Sequence, residues 1–110
     1  MLTIESVDAA LRALADSTRR QIVALVWRNE RPSGQIASHF SLTRPAISQH
    51  LAVLLASNLV SVRQEGTRRL YRANREALAQ LRAELGAFWD DRLDRLKAAA
   101  EQTTGKRRSR

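Results

Sequence analysis

Cysteine is absent from this chain of 110 residues, which excludes disulfides, thiolate metal sites, iron–sulfur clusters and cysteine nucleophiles together. Histidine is nearly absent too, His39 and His50 being the only two. A nucleophile with a base and an orienting group has little to be built from, and a chain of this length holds one core rather than a large catalytic scaffold. Neither an enzyme nor a cofactor is expected. Apolar runs are short: Ile22 to Trp27 and Leu51 to Ala56, six residues each, against the roughly 20 needed to cross a bilayer. No membrane partner is expected. The opening Met1-Leu2-Thr3-Ile4-Glu5 shows no basic region leading into an apolar stretch, so a cytoplasmic location is expected.

Lysine is scarce and arginine is not: 17 of the 19 bases are Arg, against 11 acids, for a net charge of +8. The charge is unevenly placed. Residues 1–75 carry a net +6, residues 76–104 a net −2 and residues 105–110 a net +4. A basic block followed by a near-neutral segment is the pattern of a polyanion-binding module joined to a partner-binding element. A plain solvated arginine surface is the alternative.

Val7, Ala10, Leu11, Leu14 and Ala15 recur at helical spacing and predict a first helix ending near Asp16, which then caps a second helix with Ile22, Leu25 and Val26 buried. Asn29 to Pro32 breaks that helix. Ser33 is expected to cap a short third helix through about Phe40, and Thr43 a fourth, running to about Ser57 with Pro45 in its first turn. Asn58 suits the left-handed position that follows. Leu59 to Arg63 and Arg68 to Ala73 alternate as strands around a Gln64–Thr67 turn, giving a two-stranded hairpin. Asn74 caps a last helix over 75–101, and residues 102–110 are expected to form a basic disordered tail outside a domain of residues 1–101.

Helix, turn, helix and hairpin in this order make a winged helix-turn-helix, a mainly α (α+β) fold whose fourth helix would enter the major groove. On a helical wheel Leu51 and Leu54 fall within about 40° of Ile47, whereas Pro45, Gln49, Ala52 and Ala56 fall opposite. No carboxylate occurs between Thr43 and Ser57, which is what a helix lying against phosphates requires. Gln49 can pair with an adenine edge, Arg44 with guanine or phosphate, and Thr43 and Ser48 with phosphate oxygens. His50, at the edge of the apolar face, is expected to touch phosphate or to be hydrogen-bonded internally. Arg63, Arg68, Arg69 and Arg72 crowd the hairpin, suited to a narrow minor groove.

Leu14-Ala15-Asp16-Ser17-Thr18-Arg19-Arg20-Gln21-Ile22, Ala46-Ile47-Ser48-Gln49-His50-Leu51-Ala52-Val53-Leu54 and Gly66-Thr67-Arg68-Arg69-Leu70-Tyr71-Arg72, in that order and spacing, resemble the ArsR/SmtB family of bacterial winged-helix repressors. Phe88-Trp89-Asp90-Asp91-Arg92-Leu93 resembles its SdpR-like branch, which lacks metal sites. Ser17 stands where the family usually has proline. The resemblance implies a homodimer that binds a palindromic operator in double-stranded DNA, often that of its own operon, in the bacterial cytoplasm and nucleoid. Family thiolate positions on the third helix correspond here to Pro32, Gly34 and Ala37, and no histidine follows His50, so no metal site is expected. Asp90, Asp91 and Asp94 leave open a metal-responsive repressor with oxygen ligands. A protein-interaction module with a degenerate helix-turn-helix also stays open, as does a small-molecule inducer.

Leu85, Phe88, Trp89, Leu93 and Leu96 form an apolar stripe too large for one small domain to leave exposed, and with Leu11 and Leu14 they are expected to make the dimer interface. Arg92 falls inside this stripe and is expected to need a carboxylate.

Overall fold

Short polar side chains open four of the helices by accepting a hydrogen bond from a backbone N–H in the first turn. Thr3 Oγ1 takes that of Ser6 at 3.0 Å, Asp16 Oδ1 that of Arg19 at 3.0 Å, Thr43 Oγ1 that of Ala46 at 3.2 Å and Asn74 Oδ1 that of Ala77 at 3.1 Å. Each such cap contributes about 1 kcal/mol. The computed structural model describes residues 2–108, in the order α1 (Ile4–Leu14), α2 (Ser17–Leu25), β1 (Arg31–Pro32), α3 (Ser33–Ala37), α4 (Arg44–Ala56), β2 (Val60–Glu65), β3 (Arg68–Ala73) and α5 (Arg75–Arg108).

Three boundaries differ from the sequence reading. Ser33 does not cap α3: Pro32 occupies that position without a side-chain bond, and Ser33 is the first helical residue. Helix α3 ends at Ala37, and tighter bonds from His39 to Ile36 and from Phe40 to Ala37, both 3.1 Å, carry the chain on to Phe40. Helix α5 continues past residue 101 to Arg108, through Thr103, Thr104 and Gly105, whose low helix propensity does not account for it, with no proline to stop it. Residues 102–108 of the expected tail lie within this helix, and residues 109–110 lie outside the described residues.

The hairpin pairs Val60 with Ala73 through Glu65 with Arg68, leaving Gly66 and Thr67 as the turn. Gly66 takes φ 62° there, and Asn58 holds φ 63° after α4. A third strand joins the hairpin: β1 pairs antiparallel with β3, Arg31 opposite Tyr71, so the sheet order is β1-β3-β2. At an edge Pro32 needs no ladder N–H.

Ile22, Val26, Ile36, Ile47, Leu51, Leu54, Leu59 and Val60 are fully buried, each worth about 1.5–3 kcal/mol relative to exposure. Together they lock α2, α3, α4 and β2 around one core, which fixes the outward face of α4 and the direction of the hairpin. Helix α5 joins this core through Ala77, Leu78, Leu81 and Leu85 and then leaves it. No helix among the described residues is long and apolar enough to cross a membrane.

Candidate nucleic-acid interface

Burial divides helix α4 as its wheel requires. Ile47, Leu51 and Leu54 are buried, while Thr43, Arg44, Pro45, Ser48, Gln49 and Ala52 are exposed on an acid-free face. Arg44 reaches back across α3. A Cβ on Gly34 would stand 3.6 Å from its Nη1, so the guanidinium lies over the space that this glycine leaves open on the first helix of the pair.

His50 is half-buried and faces inward, its Nδ1 3.4 Å from Arg19 Nη1. A guanidinium only donates, so Nδ1 accepts in this contact and the ring proton sits on Nε2. The internal contact expected for His50 is present through Nδ1. Arg19 also donates from Nε to the Ala13 carbonyl at 2.6 Å and from Nη2 to that of Arg12 at 3.2 Å. The hydrogen bond from the Arg19 backbone N–H, with the Arg19 guanidinium behind it, holds the Asp16 carboxyl below the usual carboxylate range.

On the hairpin, Arg68, Arg69 and Arg72 are exposed, and none of these guanidiniums has a hydrogen-bond or ion-pair partner among the described residues. Arg63 departs from the expected basic rim. Its Nε donates to both Glu30 oxygens, at 3.0 and 2.8 Å, and its Nη2 contacts Glu30 Oε1 and also donates to Glu65 Oε2 at 2.8 Å. Two carboxylates offset that charge, and the contact braces β2 against the segment before β1. Hydrogen bonding to Arg63 holds the Glu30 carboxyl below its ordinary value and pushes the Arg63 pKa up. Tyr71 is buried beneath the hairpin.

Leu14 and Leu85 are half-buried against the core and Leu11 is exposed, while Phe88, Trp89, Leu93 and Leu96 are 51%, 53%, 53% and 62% exposed. Arg92 finds a ring rather than a carboxylate: its guanidinium carbon lies 4.9 Å from the centre of Phe88, which meets Trp89 edge to face at 5.8 Å. Asp91 pairs with Arg95 at 3.4 Å. Among the described residues no group of three His, Cys, Asp or Glu side chains is placed to hold a metal ion.

The sequence reading missed Arg19 and Glu30 as supports of this surface. Arg19 lies within the Asp16–Arg20 motif, whose arginines are the available signal. Glu30 gives none, its partner being 33 residues away.

Residues 16–62 match the model of the bacterial regulatory proteins of the arsR family. The chain is 45% identical to the HTH-type transcriptional regulator Rv2034 of Mycobacterium tuberculosis over 81% of its own length and 83% of that protein. It is 34% identical to the transcriptional repressor SdpR of Bacillus subtilis, over 66% and 80% of the two chains. Among solved structures, the homodimeric winged helix-turn-helix DNA-binding domain Mb0332 of Mycobacterium bovis superposes with a TM-score of 0.65 at 33% identity, over 82% of this chain and 83% of that one. The acid-free helix, the arginine hairpin and these likenesses agree: the chain belongs to the ArsR family and is a winged helix-turn-helix DNA-binding regulator of transcription, not an enzyme.

Proposed function

We propose that the protein is a cytoplasmic, nucleoid-associated repressor that works as a homodimer on a palindromic operator, its own promoter among its targets, without responding to metals. One observation carries the reading: the exposed, carboxylate-free face from Thr43 to Ala52 lies on a helix fixed by Ile47, Leu51 and Leu54, with the unpaired Arg68, Arg69 and Arg72 on the hairpin. Thr43, Ser48 and the three arginines position the protein on phosphates, while Arg44 and Gln49 read bases. The stripe Phe88–Trp89–Leu93–Leu96, with Leu11, supplies the surface for a second copy. The Mycobacterium bovis relative, a homodimer, supports that pairing. Two copies related by a twofold axis require two half-sites about one helical turn apart. Cleavage protection on the DNA upstream of the protein's own start codon tests the reading. Two protected half-sites are expected, and uniform protection at all sequences would overturn it.

A further inference from the structure

A groove of about 840 Å³ runs between the second half of α2, with the segment that follows it, and His39 and Phe40 in the turn after α3, outside the α4 face and outside the α5 stripe. Leu25, Trp27 and Phe40 supply its apolar surface; Arg20, Arg28 and Arg31 supply its charge, and no carboxylate lines it. Trp27 is 38% exposed, an open indole beside three cations. Two of the guanidiniums are held in place: Arg20 Nη1 donates to the Leu14 carbonyl at 2.7 Å and Arg31 Nε to that of Leu25 at 2.9 Å. Each keeps further N–H groups to offer. The Arg28 side chain has no hydrogen-bond or ion-pair partner among the described residues.

We propose that this groove is a binding site for an organic anion with a flat apolar body, of which an aromatic carboxylate is the simplest form. Its volume lies within the range of about 300–1,000 Å³ of small-molecule clefts, and such clefts combine an apolar lining with a few placed polar groups. Trp27 and Phe40 offer ring surface for stacking. The arginine forks match a carboxylate. A DNA phosphate would use the charge but leave the aromatic floor without a partner. The place of the groove also matters, because His39 and Phe40 directly follow α3, which carries Gly34, and Arg44 of α4 lies over that glycine. A body bound against Phe40 presses on the turn that ends α3. Its role as an effector site rests on the function proposed above; the binding itself does not.

The probe is 1-naphthoate, titrated into the full-length protein while the Trp27 and Trp89 indole N–H resonances are followed by NMR. We expect saturable displacement of the Trp27 signal with Trp89 unmoved. Uncharged 1-naphthalenemethanol binds about tenfold more weakly, and Arg28→Glu weakens naphthoate by about tenfold or more, the scale of one charge-assisted pair. Arg28→Ala serves as the second variant if charge reversal disturbs the fold, which circular dichroism reports. Equal affinity for the acid and the alcohol, a response centred on Trp89, or no saturable response overturns the proposal. So does a fall in DNA affinity and salt slope for Arg28→Glu in the absence of naphthoate, which makes the groove a phosphate contact. Failure of the protein to bind any DNA would instead remove the functional reading and leave the naphthoate titration standing.

Discussion

Arg19 Nη1 and His50 Nδ1 lie 3.4 Å apart, and through that contact one guanidinium joins the last carbonyls of α1 to the middle of the reading helix. The same side chain reaches the Ala13 and Arg12 carbonyls, so three helices meet at one cation. Hydrogen bonds from charged donors contribute about 1.5–3 kcal/mol each. Arg19→Ala is expected to lower unfolding free energy by about 2 kcal/mol, and Arg19→Lys to recover less than half of that because a point charge lacks the fork. Urea denaturation measures both. A loss below about 0.5 kcal/mol for the alanine variant would show that these bonds do not support the fold.

Asp16 links the same network to pH. Its folded-state pKa is depressed, first by the hydrogen bond from the Arg19 backbone N–H. Its contribution is therefore present above the unfolded value, about 3.9, and is lost as pH falls through the lower folded value. Asp16→Asn keeps a capping oxygen and removes the titration. Acid-induced loss of stability below about pH 4 should be shallower in this variant, which is less stable at neutral pH by the contribution it lacks; identical acid limbs in the two urea series would exclude Asp16 as a source.

On DNA, Gln49→Ala is expected to weaken operator binding by about 1–3 kcal/mol while sparing random sequence, since removing a side chain that pairs with a base edge reduces discrimination. Arg68→Ala should weaken both DNAs alike and reduce the salt slope by about 0.9 for each phosphate it no longer neutralises. Gel shifts on two DNAs over a salt series separate the cases. Equal weakening on both DNAs for Gln49→Ala would take base reading away from that residue.

Trp89→Asp should yield monomer, because a charge buried without a partner costs several kcal/mol. Sedimentation velocity reads the result, and a stable monomer for the unsubstituted chain would end the pairing through α5.

Metal ions should leave the operator complex intact. Zinc, nickel, cadmium and arsenite at micromolar concentration are expected to release no DNA, as no thiolate exists and Asp91 is paired with Arg95. Release by any of them, abolished in an Asp90→Asn, Asp94→Asn double variant or in His39→Ala, would overturn metal independence.

Local chemistry made much of the fold legible. Asp16, Thr43 and Asn74 cap the helices assigned to them, Asn58 takes the left-handed turn, and Gly66 sits at the hairpin tip, each decided by atoms within a few residues. Strand β1 was not legible, because two residues ending in proline have no period and pair only through distant β3. The Arg63–Glu30 bond hides for the same reason, and it turns a residue read as DNA-facing into a brace. His50 sits at the edge of the wheel's apolar face, where its contact with Arg19, 31 residues away, leaves no trace. The polar run after residue 101 reads as a tail by charge, whereas α5 carries on to Arg108.

The overshoot of α5 beyond the core ties regulation to dosage. Phe88, Trp89, Leu93 and Leu96 each keep more than half of their surface open, so in the proposed assembly the surface that completes them arrives by collision with another copy. While most chains are single, the paired species rises with the square of chain concentration. Halving expression then removes about three quarters of the operator-competent species, so a moderate change in synthesis or proteolysis acts on the promoter as a steep one.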